Sequence, residues 1–220
     1  MKTAQILLVL FTIPYSVFGQ SIKTFELGFY LNTLYSMPKL TITENSAFND
    51  ISISNSFGGG IGFGTIYNFN NVIGARAQVG VEFYTNKLAY NDNGENISND
   101  IETTPVFVSA QIHLNPIEDS GFTIFSGYSF NMVETKPDGY FYNNLRTSWS
   151  SVEFGFGYRF EVNDVSVMPE IEYSHALSSI WLQDSTDLGM AITELKINVI
   201  SLTVTLYSTR YKQKTAPNTH

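Results

Sequence analysis

The chain contains no cysteine among its 220 residues, so disulfide bonds, thiol catalysis and cysteine-ligated metal centres are excluded. Basic residues are also scarce, with 12 lysines and arginines against 20 aspartates and glutamates and a formal net charge of -8. Nucleic-acid binding requires clustered positive charge. The composition therefore argues against a nucleic-acid partner.

Long hydrophobic runs are missing as well, because no segment after the N-terminus approaches the ~18 consecutive apolar residues of a membrane helix. The first residues have the pattern of a secretory signal, with Lys2, an apolar stretch over residues 5–18 that Pro14 interrupts, and the small residue Gly19 at its end. Loss of Lys2 would leave 11 basic and 20 acidic residues, a net charge of -9. We expect a signal peptide over residues 1–19.

The chain is rich in aromatic residues, with 17 phenylalanines, 13 tyrosines and two tryptophans. It also contains segments in which apolar and polar residues alternate with a period of two. In residues 151–160 every even position is apolar, whereas the odd positions are polar or small. Side chains alternate between the two faces of a strand, so this segment predicts a strand with one oily face. The alternation recurs in eight segments, less regularly in the first, fourth and fifth, where Phe107 and Phe125 fall on the polar face: residues 25–35, 58–69, 73–84, 102–114, 122–133, 151–160, 165–174 and 199–207.

The connections between these segments alternate between short and long. The short ones lie near residues 70–71, 115–120 and 161–164, and the long ones cover residues 36–56, 87–100, 134–147 and 178–191. This is the pattern of short periplasmic turns and longer external loops. It predicts an all-β, eight-stranded antiparallel up-and-down transmembrane β-barrel in a bacterial outer membrane, with its apolar face toward lipid. We expect the barrel to cover residues 20–210 and a periplasmic tail to cover residues 211–220. Since hydrocarbon offers no partner for backbone groups, the first strand must pair with the eighth.

The alternation also predicts whether each turn holds an odd or an even number of residues, because directly opposed residues must share a face of the sheet. We expect a three-residue turn over residues 70–72. The turn after Phe160 should hold an even number of residues, which we place at four, so that Phe160 opposes Val165. Pro105 and Pro169 each lack the backbone N–H that would donate a hydrogen bond to a neighbouring strand. We expect a local bulge at Pro169.

The layout resembles the small outer-membrane β-barrel family of Bacteroidota, the PorT-like porin-family proteins. Residues 172–180 are similar to the family's penultimate-strand segment Tyr-Ser-Tyr-Gly-Leu-Thr-Asn-Ile, from which His175, Ala176, Ser178 and Ser179 depart. Residues 199–207 resemble the last strand by which insertion machinery recognises a barrel. The resemblance implies a fold and a place in the Gram-negative cell envelope, with insertion machinery, outer-membrane lipid and lipopolysaccharide as partners.

Eight strands enclose an interior that side chains can fill. The inward positions predict a polar lumen network of Glu26, Arg76, Gln78, Glu82, Gln111, His113, Glu153, Arg159, Glu170 and Glu172. With Phe160 opposite Val165, Glu153 would oppose Glu172, and like charges directly opposite are destabilising. Arg76 and Arg159 are expected lower in the barrel. A retained proton or a weak cation site at Glu153, Glu170 and Glu172 is therefore an alternative to a purely structural network.

The sequence holds no clear catalytic, cofactor or metal motif. His175 is the one candidate base near the outer rim, and Leu177 occupies the place where a His-x-Ser motif of a lipid A deacylase would put serine. His113 stands alone near a periplasmic turn, which argues against a metal site. Glycines at positions 58–64 are followed by no helix, so they do not form a phosphate loop.

Aromatic residues in two of the long loops are candidates for contact with an envelope partner: Tyr140, Phe141, Tyr142 and Trp181. We predict a non-enzymatic outer-membrane barrel with a structural, binding or envelope-assembly role. A narrow passive pore and a lipid A-modifying enzyme are the alternatives.

Overall fold

The computed structural model describes residues 24–43, 48–92, 94–117, 120–133, 145–162, 165–182 and 187–208. The expected signal peptide and tail, and Tyr140, Phe141 and Tyr142, lie outside these ranges. No helix within the described ranges is long and apolar enough to cross a membrane. The elements are β1 (Thr24–Ile42), β2 (Asn49–Ile53), β3 (Ser56–Asn68), β4 (Ile73–Asp92), β5 (Glu95–Thr103), β6 (Pro105–Leu114), β7 (Phe122–Val133), β8 (Ser148–Tyr158), β9 (Phe160–Val162), β10 (Val165–Ala176), a short helix α1 (Asp187–Ala191) and β11 (Ile192–Ser208).

These segments form one closed antiparallel sheet of eight barrel strands. β2 continues into β3, β5 into β6 and β8 into β9, and the order around the ring is β11, β1, β3, β4, β6, β7, β8, β10 and back to β11. β1 pairs with β11 from Gly28 opposite Tyr207 to Ile42 opposite Ile192. The predicted closure of the first strand on the eighth is confirmed, and with it the eight-stranded fold.

The apolar faces of the strands point outward. Phe63, Phe154 and Ile171 are 63%, 52% and 45% exposed, whereas the lumen-facing Arg76 is 2% exposed. An exterior of this kind is stable only against hydrocarbon, where a closed sheet leaves no backbone group unpaired. Even-stranded antiparallel barrels of this type are outer-membrane proteins. The chain is therefore an integral outer-membrane β-barrel that crosses the membrane with eight strands.

The turn between β3 and β4 is the predicted three-residue turn. Asn68 opposes Gly74, and the Phe69 amide donates to the Ile73 carbonyl over 3.0 Å, which leaves residues 70–72 as the turn. The Asn70 Oδ1 accepts hydrogen bonds from the amides of Val72 and Ile73 at 2.8 and 2.7 Å. An asparagine that binds the backbone two residues ahead is a common turn-former.

The turn after β9 has the predicted parity, but the predicted length of four is wrong. Val162 opposes Val165 and Phe160 opposes Val167, so pairing continues two residues beyond Phe160 and the predicted opposition of Phe160 and Val165 is absent. β9 thus extends to Val162, and Glu161 within it is exposed. The shift of two residues places Ser174 opposite Glu153. The predicted opposition of Glu153 and Glu172 is therefore wrong.

Pro169 causes no bulge, in contrast to the prediction. Pairing with β11 runs unbroken past it, with Pro169 opposite Val204, and on the other side pairing stops at Val167 and resumes at Glu170 without a shift of register. The neighbouring strand is interrupted instead, between β8 and β9 at Arg159, whose amide donates over 2.8 Å to the carbonyl of Gly121, the residue just before β7. Because proline has no amide hydrogen, the ladder loses a bond there without gaining a residue.

The strands rise well into two of the predicted extracellular loops. β1 reaches Ile42, and β4 reaches Asp92 before β5 returns from Glu95. β4 has 20 residues, about twice the ~9–11 that a tilted membrane strand needs. The loops predicted at residues 36–56 and 87–100 are thus largely strand. The outward side chains of these strand extensions are polar because they lie in water, and the polar sequence therefore predicted loops.

Candidate functional site

An ion pair closes the periplasmic end of the lumen. The Arg159 Nη2 lies 2.5 Å from the Glu26 Oε2, and the Arg159 Nε donates to the Ser166 Oγ over 2.6 Å. The Asn68 side-chain amide donates to the other oxygen of Glu26 at 3.3 Å, and the guanidinium lies 5.8 Å from the ring centre of Tyr207. A charged pair with this many partners is well compensated within the barrel.

Arg76 lies in the middle of the lumen. It forms an ion pair with Glu170, its Nε donates to the Gln111 Oε1 over 2.8 Å, and its Nη2 lies 3.9 Å from the Glu172 Oε2. Its guanidinium also stacks 4.6 Å from the ring centre of Phe125. The expectation that Arg76 lies too low to reach these carboxylates is wrong, because the two-residue register shift and its long side chain bring them together.

Gln111 extends this network to the remaining carboxylates. Its Nε2 donates to the Glu153 Oε2 over 2.7 Å and to the Glu172 Oε2 over 3.0 Å. The Thr205 hydroxyl donates to the second oxygen of Glu170 over 3.0 Å. Arg76 and Gln111 thus provide the partners whose expected absence suggested a cation there. Within the described ranges, no group of three or more acidic or histidine side chains is placed to hold a metal ion.

All ten predicted lumen residues lie on the inner face of the barrel. His113 stacks on Phe125 with ring centres 5.3 Å apart, the Ser109 hydroxyl donates to Gln78 over 3.2 Å, and Asn32 donates to Glu82 over 3.3 Å. Phe125 therefore belongs to the lumen network, as its position on the polar face of its strand indicated. Seven of the ten are buried and the other three are partly buried: Glu26, Arg76, Gln78, Gln111, His113, Glu153 and Glu170, then Glu82, Arg159 and Glu172.

Tyr30 is a lumen residue that the sequence analysis missed. It is 1% exposed, and its hydroxyl lies against Gly62 and Gly80, where a Cβ at either glycine would overlap it. The lumen-facing glycines of β3 therefore make room for side chains of the neighbouring strands β1 and β4. The signal was present, because Tyr30 shares the even-numbered inner face of β1 with Glu26.

Above the polar lumen lies an apolar plug, which we call the extracellular cluster. It is built from the inner faces of the tall strands and from two segments that fold over the barrel mouth. Trp181 is 2% exposed in this cluster, so its predicted availability for partner contact is wrong. Burial of a large ring against the apolar wall removes more oily surface from water than exposure in a loop would. The buried members are Leu34, Tyr84, Leu88, Ile101, Trp149, Ile180, Trp181, Ile192, Leu195, Ile197 and Val199.

Backbone hydrogen bonds attach the two segments that cover the barrel mouth, around residues 145–146 and 179–181, to each other and to β11. Leu145 forms an isolated bridge with Trp181, and the Arg146 amide donates to the Ile180 carbonyl over 2.7 Å. The Ile180 amide in turn donates to the Leu195 carbonyl over 2.8 Å, at the edge of β11. The Ser179 hydroxyl binds both the amide and the carbonyl of Leu195, at 3.1 and 3.2 Å. The last loop thus continues the sheet across the mouth.

The residues considered for lipid A chemistry do not converge. His175 faces outward and its Nδ1 lies 3.3 Å from the Tyr173 hydroxyl. The Ser178 hydroxyl accepts a hydrogen bond from the Ser150 amide at 3.2 Å, and Ser179 binds the backbone of β11. These serines therefore hold backbone groups in place.

The sequence matches no protein-family model and no curated protein. Three solved structures are among those that it resembles. The outer membrane protein OprG from Pseudomonas aeruginosa is 12% identical, with 86% of this chain and 97% of that chain covered and a TM-score of 0.49. The outer membrane protein AlkL is 16% identical, with 92% and 97% covered and a TM-score of 0.48. Ail, the attachment invasion locus protein of Yersinia pestis, is 13% identical, with 83% and 98% covered and a TM-score of 0.32.

Proposed function

We propose that this protein is a closed, non-enzymatic outer-membrane barrel that anchors an extracellular β-structure for binding or envelope assembly. The observation that carries the proposal is the filling of the barrel at three successive levels. Arg159 and Glu26 occupy the periplasmic end, Arg76 with its carboxylate partners occupies the middle, and the extracellular cluster occupies the outer mouth.

This filling argues against the narrow passive pore. An ion that crosses the barrel would have to displace the charged side chains and then leave water to pass the apolar extracellular cluster. An unpaired charge in an apolar environment costs many kcal/mol, so a lumen sealed in this way does not conduct.

Conductance of the purified protein in planar bilayers tests the closed state, with an open porin as the positive control. We expect no stable conductance steps at moderate voltages. Regular ohmic steps that scale with salt concentration would contradict the proposal. The same measurement on Trp181→Ala shows whether the extracellular cluster contributes to the seal.

The binding or assembly role is supported by the tall sheet of β1, β2, β4, β5 and β11. The membrane alone needs strands about half as long as β4, so the extra residues build structure outside it. A variant in which the β4–β5 hairpin is trimmed at residues 89–98 keeps Leu88 and Ile101 of the extracellular cluster and removes the outer part of this projection. We expect a protein cross-linked to the wild type in native outer membranes to be absent from the trimmed variant. Identical cross-linked species for both would reject the role.

The absence of enzyme activity is part of the proposal, and lipid A composition tests it. Expression of the wild type should leave the lipid A mass spectrum unchanged. A mass change that His175→Ala abolishes would establish the lipid A-modifying alternative instead.

The finer assignment to the Bacteroidota porin-type family is also a proposal, as are the signal peptide and recognition by insertion machinery. Sequencing the N-terminus of the protein from outer membranes tests the cleavage after Gly19. A mature chain that begins at Gln20 is the expected result.

A further inference from the structure

A row of large side chains marks the outer boundary of the membrane belt on one side of the barrel. Tyr173 opposes Ile200, Ile200 opposes Tyr35, and Tyr35 opposes Phe57, so the row crosses β10, β11, β1 and β3. The rings of Tyr35 and Phe57 are 4.9 Å apart. Aromatic residues collect where hydrocarbon meets headgroups, which places Tyr35 and its direct neighbours Ile200 and Phe57 at the outer interface, whereas the strand tilt puts Tyr173, two strands from Tyr35, at a different height.

Lys39 and Lys196 lie on the same outer face, four residues further from the membrane centre than Tyr35 and Ile200. Four residues span about 13 Å along a strand. With a strand tilt of about 40°, the two lysines stand about 10 Å above the aromatic row. The lysine backbone therefore lies just beyond the outer edge of the headgroup layer, because the polar layers add roughly 5–8 Å on each side of the hydrocarbon, and the long flexible lysine side chains reach back to the headgroups.

The two lysines are directly opposite each other in the β1–β11 pair. Like charges in this position repel, and their Cβ atoms are about 4.5–5.5 Å apart. The Glu194 Oε1 lies 2.8 Å from the Lys196 Nζ and compensates one of the two charges. Within the described ranges, Lys39 is exposed and makes no ion pair. The pair therefore retains one uncompensated positive charge at headgroup level.

We propose that Lys39 and Lys196 together bind a phosphate group of a lipid A-type glycolipid in the outer leaflet. A phosphate monoester carries up to two negative charges and several acceptor oxygens, so it bridges both ammonium groups and relieves their repulsion. The acyl chains of the same lipid lie along Tyr35, Phe57 and Ile200 directly below. This inference requires only that the protein is an outer-membrane barrel, and it is independent of the proposed closed lumen and binding role.

Retention of lipid by the full-length protein tests the proposal. The barrel is purified in a mild detergent and mixed with bisphosphorylated lipid A, dephosphorylated lipid A or phosphatidylglycerol, and native mass spectrometry measures the bound lipid. We expect wild-type protein to retain bisphosphorylated lipid A, and K39Q/K196Q to retain about tenfold less, which corresponds to about 1.4 kcal/mol.

Lys87→Gln is the matched control. Lys87 also lies outward and four residues beyond an aromatic residue, Phe83, but its Nζ is 3.8 Å from the Asp100 Oδ1. It should retain lipid A as the wild type does. The heat-dependent shift in electrophoretic mobility of a folded barrel shows that each variant has folded.

Three results would overturn the proposal. The first is equal retention of lipid A by K39Q/K196Q and the wild type. The second is equal retention of dephosphorylated lipid A by the wild type, which would show that acyl chains alone account for binding. The third is phosphatidylglycerol binding as strongly as lipid A, which would indicate a general anionic-lipid surface.

Discussion

Replacement of Arg76 by leucine should be among the most destabilising single changes in the lumen. The Arg76 and Glu170 side chains are each 1% exposed, and Arg76 also holds Gln111 and lies 3.9 Å from Glu172. Leucine removes the positive charge and leaves the buried Glu170 carboxylate without its ion-pair partner, while Glu172, whose side chain is 20% exposed, loses a weaker contact. Loss of one partner of a buried pair costs about 3–5 kcal/mol, so we expect the free energy of unfolding to fall by that amount.

Urea unfolding in lipid vesicles measures this loss, with the folded fraction read from the electrophoretic mobility of unheated samples. Lys87→Gln breaks an ion pair whose side chains are 61% and 60% exposed, and should cost at most about 1 kcal/mol. The double variant R76L/E170L removes both charges of the central pair. It should recover much of the loss, since a buried pair replaced by apolar residues is often close to neutral.

Two outcomes would refute this reasoning. If R76L costs no more than K87Q, the lumen contains enough water to hydrate the orphaned carboxylates, and the barrel is not filled as described. If the double variant is as unstable as R76L, the two side chains do not interact energetically, despite the contact between them.

Three further predictions follow from the same architecture. Gly62→Val should destabilise the barrel by roughly 1–3 kcal/mol because it collides with the Tyr30 ring and the Val79 carbonyl. Gly64→Ala should be mild, because its Cβ would meet the flexible Gln78 side chain at 3.3 Å and the Ala77 carbonyl at an ordinary contact distance of 3.6 Å; urea titration compares the two variants. Trp181→Ala should cost about 3–5 kcal/mol of local stability in the extracellular cluster, seen as faster proteolysis of the external segments around an intact barrel. Phe154→Arg places a charge on the lipid face and should cost about 2–4 kcal/mol in the vesicle assay, and a cost near zero would mean that this face is not in hydrocarbon.

The transmembrane part of the fold could be predicted from the sequence because a strand has a strict period of two. The outward Phe, Ile and Val residues of 151–160 and 165–174 identified the orientation of each strand. The inward orientation of Glu153 and Glu170 followed from it. The three-residue turn at residues 70–72 followed from the same parity. Outside the membrane the signal weakens, because β4 beyond Phe83 has a polar outer face and its residues resemble a loop.

The sequence by itself thus determined the number of strands, the face that each presents to lipid and the identity of the polar residues inside. Only the tertiary structure decided which of them meet. Arg76 and Glu170 are 94 residues apart in the chain, and their contact depends on closure of the ring and on a turn of two residues rather than four. Trp181 is buried because its loop returns to the edge of β11. The alternation of side chains between two faces is a local property of each strand. The length of a turn and the path of a loop back to the sheet are instead decided by the packing of distant segments against one another.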